Sequence, residues 1–143
     1  MIDAAATGWA AVDAERAFGK AVRARRRASL ARRVLRRCAE CARLVICEPS
    51  GGSSAGHGMR EIPLAAIAGS LEPNRAAHFD SEFRPAPAAR SRWLRVWLAE
   101  QCGTVLPPIS VARFGDSYAI RDGHHRVSVA RARGALSIAA LVA

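Results

Sequence analysis

The carboxy-terminal third of the chain constrains the fold most, because it predicts a hairpin that leads directly into a helix. Residues 109–114 and 117–121 read as two strands, and Gly115-Asp116 between them is a two-residue hairpin signal. Gly123 breaks the second strand, and the residues that follow, 124–134, have the character of a helix. A hairpin and a following helix are therefore the expected centre of the domain.

The segments around this unit predict an α+β fold. We expect a short strand over 61–67, a helix over 90–101 and a closing apolar strand over 137–142. The two tryptophans of the predicted helix are four residues apart and would share a face directed at the core. Residues 71–90 contain three prolines and are expected to be loop with one short helical turn. The order strand, helix, hairpin, helix, strand predicts a mixed sheet with packed helices.

Charge is distributed unevenly along the 143 residues, whose formal net charge is +10. Residues 1–43 contain 11 basic and 4 acidic side chains, a net +7, whereas residues 44–143 contain 11 and 8, a net +3. Half of the residues are hydrophobic, which argues against wholesale disorder. The basic excess predicts anionic partners, among which nucleic acid, nucleotides and acidic membrane surfaces are candidates.

We expect residues 1–47 to form a basic helical arm, 48–59 a Gly/Ser-rich linker and 60–143 a compact domain. The arm is predicted to be helical from 8 to 46, with a break near Gly19 left open. Its apolar side is expected to comprise Leu30, Val34, Leu35, Cys38, Cys41, Ala42 and Val45. Its candidate nucleic-acid-binding residues are Arg25, Arg26, Arg32, Arg33, Arg36 and Arg37.

Two alternatives to nucleic-acid binding remain open for the arm. It can pack on the domain with its charged face in solvent, or it can lie on a membrane surface. The membrane alternative fits less well, because the apolar side lacks the bulky residues that such helices use. We therefore predict no membrane partner.

The cysteines raise the question of a metal site. Cys38, Cys41, Cys47 and His57 have a spacing that could supply four zinc ligands, but the first two lie on the apolar side of the predicted helix. Core packing is the preferred interpretation, and no metal site is predicted. The spacing does not resemble a small disulfide scaffold, and no secretory leader or spanning helix is evident, so a reduced, cytoplasmic protein is expected.

The most informative motif is Asp122-Gly123-His124-His125-Arg126, where the second hairpin strand meets the helix. Gly123 permits a positive φ, and the free amides of a helix start favour an anion. Arg126 adds a planar group suited to phosphate oxygens. The motif therefore predicts a phosphate site. An Asp-Gly turn with two surface histidines is the alternative.

The sequence from Leu106 to Gly134, LPPISVARFGDSYAIRDGHHRVSVARARG, closely resembles the ParB/sulfiredoxin-like domain, and the chain is most similar to small stand-alone ParB-like proteins of bacteria. The resemblance covers roughly residues 60–143 and implies that fold, with the basic arm outside it. It also implies a nucleotide-binding module that uses CTP or ATP, with Mg²⁺ as an open question, and that acts with DNA or other nucleic acid. The implied nucleotide-binding residues are Asp122, Gly123, His124, His125 and Arg126.

Within this superfamily the residues of the loop leave several activities open. Sulfiredoxins use a loop cysteine, and because His124 replaces it here, sulfinic-acid reduction is not expected. The DGH-R pattern is closest to free serine kinases, so a small-molecule phosphotransferase is the alternative function. Its candidate catalytic residues are Glu72, Asp80 and Asp122. A metal-dependent nuclease using Asp122, His124 and His125 is a further alternative, and a homodimer is left open.

Overall fold

A computed structural model describes residues 4–35, 43–48 and 58–143, which form a mixed sheet with helices packed on it. The helices are α1 (Ala4–Val34), α2 (Pro73–Ala76), α3 (Arg90–Gln101) and α4 (His124–Ala132). The strands are β1 (Val45–Ile46), β2 (Gly58–Pro63), β3 (Ile67–Ser70), β4 (Ile109–Phe114), β5 (Ser117–Asp122) and β6 (Ser137–Val142). The predicted α+β class is confirmed.

The sheet brings together the ends of three strands that are distant in sequence. The strand order is β1-β3-β5-β4-β6-β2, with β3 parallel to β1 and β5, and with β4 antiparallel to β5. Because β3 and β5 are parallel, their carboxyl ends lie at one edge of the sheet, where the antiparallel β4 begins. Ser70, Asp122 and Ile109 therefore meet at this edge.

The predicted strand over 61–67 is wrong, because this segment belongs to two strands. β2 pairs with β6, whereas β3 pairs with β1 and β5 elsewhere in the sheet. A single 3-10 turn, Leu64–Ala66, joins them and buries Leu64. Buried positions thus continue through the turn, and the apolar pattern alone does not reveal the change of direction.

The prediction for the arm is wrong in two respects. The helix ends at Val34, and Val45–Ile46 is a strand paired with β3 rather than helix. The break near Gly19, which the sequence left open, is absent from α1. The predicted apolar side is also exposed, since its described members, Leu30, Val34, Leu35 and Val45, are each more than half exposed. Arg36, Arg37, Cys38, Cys41 and Ala42 lie outside the described residues.

The first half of α1 instead provides its buried face. Ala14, Phe18 and Val22 are buried, and the Phe18 ring lies 5.4 Å from the Trp93 ring of α3, centroid to centroid. Trp93 is fully buried, and its indole Nε1 donates to Ser128 Oγ of α4 at 2.9 Å. Phe18 therefore decides which face of α1 is buried, because one aromatic side chain buries more apolar area than each of the smaller apolar residues after it.

Only one residue of the considered zinc set, Cys47, lies in the described part of the chain. It is buried, and burial raises the pKa of its thiol, as expected for a packed cysteine. Within the described ranges, no three His, Cys, Asp or Glu side chains are gathered to hold a metal ion. Nor does any described helix combine the length and apolarity needed to cross a membrane. Residues 49–57 of the predicted linker are not described, and β2 begins at Gly58.

Candidate phosphate-binding site

Gly123 makes the transition from β5 to α4 in a single residue. It caps the helix with φ +115° and ψ +21°, which is a left-handed conformation that favours glycine. A Cβ at this position would lie 2.4 Å from Ile109 Cγ2, so the close approach to β4 also requires glycine. The first hydrogen bond of the helix runs from Val127 N to Gly123 O at 3.0 Å. The amides of residues 124–126 therefore remain outside the helical ladder.

Arg126 is held beside this turn by contacts on both sides. Its Nη1 donates to the carbonyl oxygens of Pro107 at 2.5 Å and Pro108 at 3.1 Å, and its Nη2 donates to Asp122 Oδ2 at 3.2 Å. Arg126, which the sequence predicts to bind phosphate, thus also connects the segment that enters β4 to the start of α4. Its guanidinium is oriented before any ligand binds, which lowers the entropic cost of binding.

Asp122 lies between two arginines. Its Oδ1 accepts from Arg75 Nη1 of α2 at 2.6 Å, while its Oδ2 accepts from Arg126. The carboxylate is exposed, so these pairs add little stability. Their effect is positional, because they hold two guanidinium groups at the edge of the sheet.

His124 is a buried residue that bridges α4 and β3. Its Nε2 lies 2.5 Å from Ser70 Oγ, and Ser70 Oγ in turn accepts the Glu72 amide at 2.9 Å. Its Nδ1 is buried and has no partner among the described residues. Burial, followed by the charge of Arg75, lowers the pKa of His124 to about 4, so the ring is neutral at neutral pH.

His125 is partly buried and packs edge-on against Phe79, with ring centroids 5.1 Å apart. Burial, followed by the charges of Arg92 and nearby His78, lowers its pKa to about 4. Both histidines are therefore neutral, and the surface-histidine alternative does not describe His124, which is 1% exposed. Arginine side chains, rather than these two histidines, therefore supply positive charge to this region.

A cleft of about 230 Å³ opens beside the first turn of α4. α3 lines it with Arg92, Arg95 and Val96, and the loop lines it with Asp122, His125 and Arg126. We call it the α4 cleft. Three guanidinium groups and the start of a helix thus surround one small depression, which is an arrangement suited to phosphate oxygens.

Four contributors to this site were missed by the sequence reasoning: Ser70, Arg75, Arg92 and Arg95. Arg92 and Arg95 are three residues apart on α3, and this spacing was a visible signal of a shared basic face. The sequence did not show that this face lies beside α4. Ser70 follows a predicted strand, but its contact with His124 depends on the parallel pairing of β3 with β5.

The candidate catalytic carboxylates occupy different environments. Asp80 is buried, and its oxygens accept from the amides of Glu82 and Arg84 at 3.0 and 2.8 Å and from Arg84 Nε at 2.8 Å, so it stabilises its own turn. Glu72 is exposed at the start of α2. Neither lines the α4 cleft. The nuclease alternative also lacks its metal set, because Asp122, His124 and His125 form no such group among the described residues.

The described arginines of the predicted nucleic-acid-binding face are divided between two environments. Arg25 and Arg32 line a cavity against α2, whereas Arg26 and Arg33 are exposed on α1. Arg36 and Arg37 lie outside the described residues.

Comparison with known proteins finds similarity among solved structures. No protein-family model matches the chain, and no curated protein gives a significant match. Among solved structures, the chain is similar to sulfiredoxin from Arabidopsis thaliana, with 17% sequence identity and a TM-score of 0.39, and the match covers 60% of this chain and 84% of that chain. This likeness assigns no activity, so the function is argued from the site itself.

Proposed function

We propose that the chain is a nucleotide-binding module whose α4 cleft holds the phosphates of CTP or ATP. The observation that carries the proposal is the convergence of Arg92, Arg95 and Arg126 on the start of α4. Unpaired helix amides bind phosphate oxygens, and guanidinium groups neutralise their charge. The nucleotide itself is inferred from the resemblance of the Asp122-to-Arg126 motif to nucleotide-binding loops of the ParB/sulfiredoxin-like domain.

Mg²⁺ would accompany the triphosphate rather than occupy a site of its own. No described group of three ligating side chains exists to hold it. Asp122 is the one carboxylate that lines the cleft. The ion would therefore take most of its ligands from phosphate oxygens and water, as is usual for Mg²⁺ in nucleotide sites.

Binding is favoured over phosphotransfer because the described lining of the cleft contains no unpaired carboxylate. Both oxygens of Asp122 are paired with arginines, and Glu72 and Asp80 are absent from the lining. A transferase would need a base within hydrogen-bond reach of the acceptor hydroxyl. Phosphotransfer to a small molecule remains the alternative. Its candidate base is Glu72, an exposed carboxylate close in sequence to Ser70.

The proposal is tested by calorimetric titration of CTP and ATP, with Mg²⁺, into the wild-type chain and Arg95→Ala. Arg95 has no described ion pair, so its removal should not disturb folding. The expected result is binding that weakens about tenfold in Arg95→Ala, through the loss of one charge-assisted contact. Arg113→Ala is the matched control, because Arg113 lies toward the opposite end of the β4–β5 hairpin, paired with Tyr118. Absence of triphosphate binding, or equal binding by Arg95→Ala, would exclude the proposal.

We also propose nucleic acid as a partner, through Arg26 and Arg33 on the exposed side of α1. Deleting residues 1–47 is not a suitable test, because it would remove Phe18 from the core. The double variant Arg26→Ala/Arg33→Ala should instead lower the slope of log K against log salt by about one per lost phosphate contact. Binding to duplex DNA that is independent of salt would contradict this part.

A further inference from the structure

A second cavity, of about 450 Å³, lies between α1 and α2. We call it the α1–α2 cavity. α1 contributes Arg25, Ser29 and Arg32. Ile46 of β1 and Arg43, just before this strand, also line the cavity. It shares no lining residue with the α4 cleft. It is therefore a separate place where a ligand can bind.

Three guanidinium groups in this cavity lack acidic partners among the described residues. Arg25 and Arg32 are seven residues apart, so they project from the same side of α1, and Arg43 approaches from the other wall. Arg25 Nε is buried and has no hydrogen-bond partner in the described part of the chain, and the described contact of Arg32 is a long one, 3.4 Å from Nη2 to Ser81 Oγ.

The carboxylate in the lining does not neutralise these groups. Asp80 is bonded to the Arg84 side chain and to amides of its own turn, so its charge is already matched. Unpaired guanidinium groups at a cavity wall favour a ligand that carries more than one negative charge. A phosphate monoester meets this requirement.

Most of the remaining lining is apolar. Phe79 and Pro73 line it together with Ile46 and several alanines. The volume falls within the range of about 300–1,000 Å³ that is usual for small-molecule sites. A concave, partly open cavity of this size accommodates a small organic group.

We propose that the α1–α2 cavity binds a phosphorylated small molecule, with its phosphate held by Arg25, Arg32 and Arg43 and its organic part against Phe79 and Pro73. This site goes beyond the proposed nucleotide site. It also assigns Arg25 and Arg32 a role different from that of Arg26 and Arg33, because they line a partly open cavity against α2 rather than the exposed side of the helix.

The proposal is tested with phenyl phosphate as the probe, titrated calorimetrically into the full chain. Arg32→Ala and Arg43→Ala should each weaken binding about tenfold, because each removes a charge-assisted contact. Arg27→Ala is the matched control, since Arg27 is an exposed arginine of the same helix that does not line the cavity. Arg32→Lys keeps the charge and should retain part of the affinity. Circular dichroism of each variant establishes that it is folded.

The outcomes distinguish this site from the α4 cleft. Unchanged phenyl phosphate binding in Arg95→Ala supports a separate site, whereas loss in Arg95→Ala with no loss in Arg32→Ala overturns it. Equal losses in Arg27→Ala and Arg32→Ala would show unspecific attraction and also overturn it. A short oligo(dT) that binds through Arg32 and Arg43 while phenyl phosphate does not bind would assign the cavity to nucleic acid, against the proposal.

Discussion

The α4 cleft and the α1–α2 cavity are both lined by three arginines, but the fold prepares them differently. In the α4 cleft, Arg126 is clamped by carbonyl oxygens and by Asp122, and the backbone adds amides at a turn that only glycine allows. In the cavity, Arg25 and Arg32 have no described ion pair, and most of the lining beside the three arginines is apolar. The first site combines a locally built turn with two arginines of α3, whereas the second is built entirely by segments that are distant in sequence.

The largest expected effect on stability comes from Gly123, which belongs to the α4 side and not to the lining of the α1–α2 cavity. Gly123→Ala should lower the free energy of unfolding by about 4 kcal/mol, because it combines a left-handed φ with a clash against Ile109. Gly115→Ala is the control, since Gly115 has φ +60° but nothing within 4 Å of its would-be Cβ, and about 1 kcal/mol is expected there. Urea denaturation measures both. If the two variants were equally stable, the close packing of this turn would be disproved.

In any Gly123→Ala chain that remains folded, the α4 cleft should lose triphosphate binding while the α1–α2 cavity keeps phenyl phosphate. This follows because the cavity shares no lining residue with the α4 cleft, and it touches the start of α4 through ring contacts of Phe79 with His124 and His125 rather than through Gly123. Parallel titrations of both ligands measure it. Loss of both ligands would show that the two sites are not independent.

The second effect concerns pH and arises at His124 in α4. His124 has a folded-state pKa of about 4, lowered by burial and then by Arg75, against 6.5 for an unperturbed histidine. The unfolded chain therefore binds more protons between these values, so stability is complete above pH 6.5 and falls as the pH is lowered toward 4. The loss from His124 is about 3 kcal/mol at pH 4 and below. Denaturation at pH 7 and pH 4.5 with His124→Asn as the comparison tests this, and equal pH dependence of both proteins would refute it.

The third effect tests the link between β3 and α4. Ser70→Ala removes the partner of His124 Nε2 and the acceptor of the Glu72 amide, which should cost about 2 kcal/mol. Ser91→Ala, on the exposed surface of α3, should change stability by less than about 0.5 kcal/mol. Thermal unfolding of both variants provides the measurement. A Ser70→Ala chain as stable as the wild type would mean that the buried pair contributes nothing.

The smallest effect on stability is expected from Arg75→Ala. Its ion pair with Asp122 is exposed, so the loss should be below about 1 kcal/mol. Titration of the triphosphate should nevertheless show a change in affinity, since Asp122 would then pair with Arg126 alone. A large loss of stability in this variant would show that α2 depends on the ion pair for its position.

Local patterns were sufficient for several elements. The helix over 90–101 and the strand over 137–142 have the predicted bounds, and the hairpin with its Gly115 turn is present. These segments combine a clear period with a glycine or proline boundary, so neighbouring residues alone specify them. The predicted change from strand to helix at Gly123 is also present, because the left-handed backbone conformation at this position favours glycine.

Other features depended on contacts that no local pattern reports. The apolar run through Leu64 hid a change of direction, because the turn residue is as buried as the strand residues around it. The buried side of α1 was misplaced because Phe18 is isolated in sequence and gains its partner only from α3. Arg92 and Arg95 became candidate site residues only when α3 was seen beside the start of α4.

The sequence by itself determined the hairpin, the Gly123 turn and the motif from Asp122 to Arg126, because φ preference, periodicity and capping act over a few residues. Only the tertiary structure decided which arginines share a cleft, that His124 is buried against Ser70, and that α1 divides its arginines between a cavity and the exposed surface. The physical reason is that charge and burial depend on distances between elements, and sheet pairing sets those distances.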